Sequence, residues 1–173
     1  MGLPGSGKST LANLLAGTTG LPIVSRDTLR AQKFPRLGYG DADKAQVNLA
    51  VFEATAARLR AGESCIVDGM TFAGRAQREQ LRQAVQDGGA GLLWIYLDCP
   101  PALAAQRIAA QKNHPAADRG AALAEEVARR FEPVGADALV LDAAEPPPAL
   151  LHKARARLMA APLNAQDDGF TCR

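Results

Sequence analysis

The stretch from Gly2 to Ser9, GLPGSGKS, fits G-x-x-x-x-G-K-[ST], a spacing that builds a cradle for phosphate. Gly2, Gly5 and Gly7 let the backbone turn tightly and point successive N–H groups at one anion. Lys8 is placed to reach the β- and γ-phosphates of a nucleotide, and the Ser9 hydroxyl to ligate Mg²⁺. ATP and Mg²⁺ are therefore the expected ligands, on a loop made of Gly2, Leu3, Pro4, Gly5, Ser6, Gly7, Lys8, Ser9 and Thr10. The following STLANLLAG is apolar at Leu11, Leu14 and Leu15 and ends at Gly17, which predicts a helix whose N-terminus faces the anion.

A phosphate cradle only holds a nucleotide, so the chemistry of an acceptor must lie elsewhere. In VSRDTLR, Asp27 falls at the end of an apolar run, where open parallel sheets bind their ligands. An aspartate there can take a hydroxyl proton as a phosphoryl group moves, or it can simply cap a helix. In SCIVDGM, Asp68 ends a second apolar run, the pattern of an acid that holds Mg²⁺ or its water. Gly69 follows it, where a hydrolysing motor needs a glutamate to activate water. Arg78 and Arg82 are four apart on a helix downstream, so they share a face that contacts substrate or is merely solvated. Arg107, Gln111, Lys112, His114 and Arg119 surround Pro115 in a segment with the composition of a mobile cationic lid.

These groups need a frame. Four apolar runs read as strands, over 21–25, 64–68, 91–98 and 137–142, and helical patterns alternate with them over 43–61, 74–87, 101–112, 120–131 and 147–160. Alternation of this kind predicts an α/β fold, a parallel sheet covered on both faces by helices. The domain is expected to span 1–160, followed by a disordered tail over 161–173. A phosphate loop normally hangs from a buried strand, yet only Met1 precedes this one. The expectation is a start displaced by about six apolar upstream residues, the length of one strand.

Composition sets the outer bounds. At 173 residues the chain suits one domain, and with 47% hydrophobic and 22% charged residues it is a globular one. The net charge of +2 is too small to argue for a nucleic acid or a membrane, and 5% aromatic residues provide few platforms for stacking bases. Cys65, Cys99 and Cys172 lack metal-type spacing and read as reduced thiols. With no signal peptide and no long apolar run, a cytoplasmic location is expected.

Taken together, GLPGSGKSTLA, SRDTLR, VDG with RAQREQLR, LDCP with a later arginine, and RFEP resemble the P-loop kinase-like family of AAA-type ATP-binding proteins. The chain is similar to the 5′-kinase domain of phage polynucleotide kinase and, more distantly, to gluconate kinases and zeta toxins. The resemblance covers roughly residues 2–142. It implies ATP, Mg²⁺, a five-stranded parallel sheet and kinase activity. It further implies that Asp27 is the general base, Arg30 a substrate-contacting arginine, Asp68 the acid after the third strand and Arg107 the first lid arginine. Gln111 departs from the pattern, which has a second lid arginine there, and Lys112 lacks the planar fork to replace it.

The resulting expectation is a cytoplasmic P-loop kinase-like enzyme that moves the γ-phosphoryl of ATP to a hydroxyl of a small molecule or, less favoured, a nucleic-acid 5′-end. Lys8, Asp27 and Arg107 are its catalytic residues, Arg30, Asp68 and Arg78 its substrate side, and Ser9 and Asp68 its metal ligands. The rivals are an ATPase or nucleotide switch, and a silent nucleotide-binding protein.

Overall fold

The computed structural model describes residues 1–110 and 121–160. In chain order the elements are α1 (Lys8–Thr19), β1 (Ile23–Ser25), α2 (Arg26–Lys33), α3 (Asp41–Arg60), β2 (Ile66–Asp68), α4 (Arg75–Asp87), β3 (Trp94–Asp98), α5 (Pro101–Ala110), α6 (Ala121–Arg129), β4 (Ala138–Asp142) and α7 (Pro147–Ala160). Strand and helix alternate as the hydrophobic pattern requires. Pro101 and Pro147 open α5 and α7, where a missing N–H costs nothing. The cationic segment around Pro115 and the tail from 161 lie outside the described residues.

Two elements differ from expectation for local reasons. Helix α1 runs through Gly17 and stops at Thr19, because Gly20 is the residue that turns left-handed (φ 73°) and returns its N–H to the Ala16 carbonyl at 2.8 Å. Helix α2 exists because Ser25 caps it, its Oγ accepting from Thr28 N–H at 3.3 Å.

The strands are parallel as expected and the sheet is small, with four strands among the described residues where the resemblance implies five. Strand β1 pairs in parallel with β2, and β3 in parallel with β4, as two separate ladders. Between them the chain's first residues supply a single parallel bridge, Gly2 to Leu97. Leu97 N–H donates to the Met1 carbonyl at 3.0 Å, and the Met1 amine to the Ile95 carbonyl at 2.6 Å. Each strand also begins later than its apolar run: residues 64–65 and 91–93 stay outside the ladders and line an apolar cleft of about 220 Å³. Left dry, a void of that size would cost about 5 kcal/mol at ~24 cal/mol per Å³.

Two buried clusters hold the halves together. One joins Leu11 and Leu15 of α1 to Leu97, Ile108, Leu141 and Leu150. The other joins Val24, Val51 and Phe52 to Phe72, Leu81, Val85 and Trp94. Phe72 meets Trp94 edge-on at 5.0 Å between ring centroids. No helix among the described residues is long and apolar enough to cross a membrane.

Candidate active site

The phosphate loop is built as its glycines predict. Gly2, Gly5 and Gly7 have φ of 142°, 82° and 95°, values that side chains resist. Gly5 is further fixed by its neighbours, since a Cβ there would lie 2.4 Å from the Ala104 carbonyl oxygen of α5. Helix α1 opens directly from Gly7 with no side-chain cap and no acid in its first turn. A cap or an acid would compete with a bound anion, so this helix end is left to phosphate. The Ser6 hydroxyl is buried in the same loop without a hydrogen-bond partner among the described residues. These features fit a nucleotide's phosphates.

Lys8 Nζ bends over its own loop and donates to the carbonyls of Leu3 at 2.6 Å and Gly2 at 3.0 Å. Near it lies Cys99, whose thiol burial pushes up while Arg107 and Lys8 pull it down. The two cations therefore converge on one end of β3, although they come from helices about a hundred residues apart. Arg107 is anchored there by an NH2 donation to the Ala143 carbonyl at 2.9 Å.

The acids approach from the other ladder. Ser25 and Asp68 are register partners at the last position of β1 and β2. Asp27 lies in the first turn of α2, next to this strand end. Because the Ser25 hydroxyl makes the cap, Asp27 is not the capping residue. Gly69 follows Asp68 with φ 83°, and a Cβ there would stand 3.0 Å from the Arg26 Cβ and 3.3 Å from the Asp27 nitrogen. A side chain at this position would sit on a strained backbone and crowd Arg26 and Asp27. Ser9, at the start of α1, and Asp68 are the residues that would hold Mg²⁺. Mg²⁺ is commonly held by one or two protein ligands with phosphate and water completing the shell.

The arginines have separate fates. Arg30 donates through NH2 to the carbonyls of Leu37 at 2.5 Å and Gly38 at 2.6 Å and stacks on Tyr39 at 4.1 Å, closing the loop between α2 and α3. Arg26 reaches across to α3 through Nε to Asn48 Oδ1 at 2.8 Å. Arg78 is not on a solvated face. Its side chain is 9% exposed, and NH2 donates to the Glu132 carbonyl at 3.2 Å. Arg82 instead pairs at the surface with Asp137 at 2.9 Å.

Glu132 is the residue that sequence reasoning left without a role. Its N–H donates to the Ala73 carbonyl at 2.9 Å, and its carboxylate accepts from Arg75 N–H, taking the place of the cap that Gly74 cannot provide. It thereby fastens the segment after β2. That segment contains Phe72, at φ 52°, and Thr71, whose carbonyl accepts from Gly2 N–H at 3.0 Å. The segment after β2 and the phosphate loop are joined through this bond.

Comparison with known proteins follows the same lines. A family described as an AAA domain matches residues 1–134. No curated protein sequence matches the chain. Among solved structures, an unliganded sugar kinase from Janibacter sp. HTCC2649 is 27% identical, with a TM-score of 0.74 over 94% of this chain and 93% of that one. A gluconokinase from Sinorhizobium meliloti 1021 is 23% identical, with a TM-score of 0.71 over 92% and 89%. The APS kinase CysC of Mycobacterium tuberculosis, solved with AMPPNP and APS, is 19% identical, with a TM-score of 0.72 over 92% and 95%. The α/β fold, with parallel strands and helices, matches P-loop kinase structures.

Proposed function

This chain belongs to the AAA-domain family, and on that premise we propose that it is an ATP-dependent phosphotransferase acting on a hydroxyl group. The observation that carries the reading is the Ser25–Asp68 strand end. Asp68 ends β2 there and Asp27 follows in the first turn of α2, whose capping is left to Ser25.

When bound, ATP supplies the transferable γ-phosphoryl and Mg²⁺ neutralises part of its charge. The chain's own residues do the rest. The loop N–H groups would hold the phosphates, and Lys8, which donates to the Gly2 and Leu3 carbonyls, would supply positive charge to them. Asp27 orients the acceptor hydroxyl and takes its proton. Asp68 and Ser9 would hold the metal, and Arg107 would add positive charge where negative charge builds up. Arg30 and Arg78 belong to the acceptor side, Arg30 through the loop that it closes with Tyr39.

A small-molecule acceptor is favoured over a nucleic-acid end, because the net charge of +2 gives little attraction for a polyanion. Gly69, held at φ 83° where a side chain would be strained and crowded, stands where a hydrolysing motor needs a glutamate, which argues against a water-activating hydrolase. The test is transfer from radiolabelled ATP to a panel of sugars, polyols, nucleosides and 5′-hydroxyl oligonucleotides. Labelled product from one class, with hydrolysis much slower, is expected. Hydrolysis alone at a comparable rate, across the whole panel, would replace the kinase with an ATPase.

A further inference from the structure

Helix α2 carries Asp27, yet it fully buries none of its own side chains. Leu29 packs against the second cluster while staying partly exposed. A helix of eight residues is marginal without a packed face, so apolar contact alone fixes its place poorly. Polar ties take over that task. The Ser25 hydroxyl closes the helix's own first turn, and Arg30 holds its far end to the loop carbonyls of Leu37 and Gly38. The tie from the first turn to another helix is made by Arg26, whose Nε–H donates to Asn48 Oδ1 of α3 at 2.8 Å.

Asn48 is out of character for its surroundings. It is buried on α3 beside Val47, Val51 and Phe52. The other buried polar side chain of this helix, Thr55, returns its hydroxyl to the Val51 carbonyl at 2.8 Å, one turn back. Asn48 instead reaches out of its helix. A buried amide is costly unless it is bonded, and an apolar pair of the same shape can replace a hydrogen-bonded one with little loss. What the bond adds is direction, because fixing Nε–H fixes the plane of the guanidinium. On its other side Arg26 is stopped by the turn after β2: a Cβ at Gly69 would lie 3.0 Å from the Arg26 Cβ and 3.3 Å from the nitrogens of Arg26 and Asp27. Arg26 is thus held between Gly69 and α3, and Asp27 is the next residue along the chain.

We propose that Asn48 is a positioning residue for Asp27, acting through Arg26: its side-chain oxygen fixes Arg26, and with it the first turn of α2 in which Asp27 stands. The consequence for catalysis rests on the kinase reading. A general base works only within hydrogen-bond reach of the hydroxyl proton, and a misplacement of about 1 Å can cost up to ~10²-fold in rate. Asn48 touches neither nucleotide nor acceptor in this scheme. Its effect reaches the reaction through the placement of one carboxylate.

The test cuts the bond from either side. Asn48→Leu keeps the shape without the acceptor, and Arg26→Met keeps the length without the donor. Asn48→Asp keeps an acceptor and serves as the rescue. In ¹⁵N-labelled protein, the backbone amide signals of Asp27 and Thr28 should move in Asn48→Leu and in Arg26→Met, and return close to their wild-type positions in Asn48→Asp. With any hydroxyl acceptor that the wild-type chain phosphorylates, kcat should fall about 10- to 100-fold in the first two variants and largely recover in the third, with KM for ATP unchanged throughout. The double variant should lose no more than either single one, since all three lack the same bond. Unmoved amides would overturn the proposal, and so would moved amides with a wild-type kcat. A wild-type chain that transfers phosphate to no acceptor would sink the kinase reading instead, and the amide signals would then decide the placement of Asp27 by themselves.

Discussion

Ser25 and Asp68 face each other at the last rung of the β1–β2 ladder, and the Ser25 hydroxyl caps the helix that carries Asp27. In the proposed reaction the two acids at this strand end do different work. Asp27→Asn should lower phosphoryl transfer by the ~10²–10⁴-fold of a lost general base and leave ATP affinity intact. Asp68→Asn should instead raise the Mg²⁺ concentration needed for half-maximal activity. Transfer and hydrolysis measured side by side decide the matter. Wild-type transfer by Asp27→Asn would leave the kinase without its base.

Lys8 gives a second test. Its ammonium bonds the Leu3 and Gly2 carbonyls at 2.6 and 3.0 Å, so the loop is folded around it. Lys8→Ala should reduce turnover at least ~10²-fold, as removal of one charge-stabilising donor does elsewhere. Ser9→Ala should shift Mg²⁺ dependence more than nucleotide affinity, both read by titration calorimetry with and without the metal.

The Met1 amine predicts a pH dependence with a definite sign. Its folded value of about 5 lies below the unfolded 8.0, so the unfolded chain binds more protons between these values. Stability should be full above pH 8 and fall as pH drops towards 5, by up to ~4 kcal/mol for three units. Lys8 and Asp68 also act on the amine, in opposite directions. Melts from pH 5 to 8 should show the slope, and acetylating the terminus should flatten it. An unchanged slope after acetylation would assign it to other groups.

Gly69 is intolerant for two reasons, its φ of 83° and the 3.0 Å approach to the Arg26 Cβ. Gly69→Ala should cost about 1–3 kcal/mol. It should also displace Asp27, reducing transfer more than nucleotide binding. A stable Gly69→Ala variant with normal transfer would show that this turn can shift without consequence.

Glu132→Ala removes the cap on Arg75 N–H and the carboxylate beside Arg78, which should cost about 1–2 kcal/mol. Glu132→Gln keeps an acceptor for the cap and should recover much of the loss. Urea melts of both variants are sufficient, with identical stabilities as the contrary result.

Much of this was legible in the sequence because the signals are local. The phosphate loop, the helix after it and the strand ends at Asp27 and Asp68 each follow from spacing within a few residues. Arg78 was legible too, in hindsight: it is three and seven residues before Leu81 and Val85, and so on the buried stripe of α4. Its charge pointed to a substrate contact or to solvent, and the side chain is instead buried beside Glu132. Glu132 and Arg75 are 57 residues apart, and no periodicity links them. The bridging role of Gly2, tied to Leu97 and Thr71, comes only from three-dimensional pairing.

The fastening of α4 has a consequence for how the chain is made. Arg75 and Arg78 wait for Glu132, and Arg82 waits for Asp137, so three of its anchors are synthesised about fifty-five residues after the helix itself. At ~5–20 residues per second that is a delay of roughly 3–11 s on the ribosome. During this interval α4 has its apolar stripe but not its anchors. Nascent chains arrested before residue 132 should therefore be cut by protease within 75–87, and chains arrested well beyond 137 should resist.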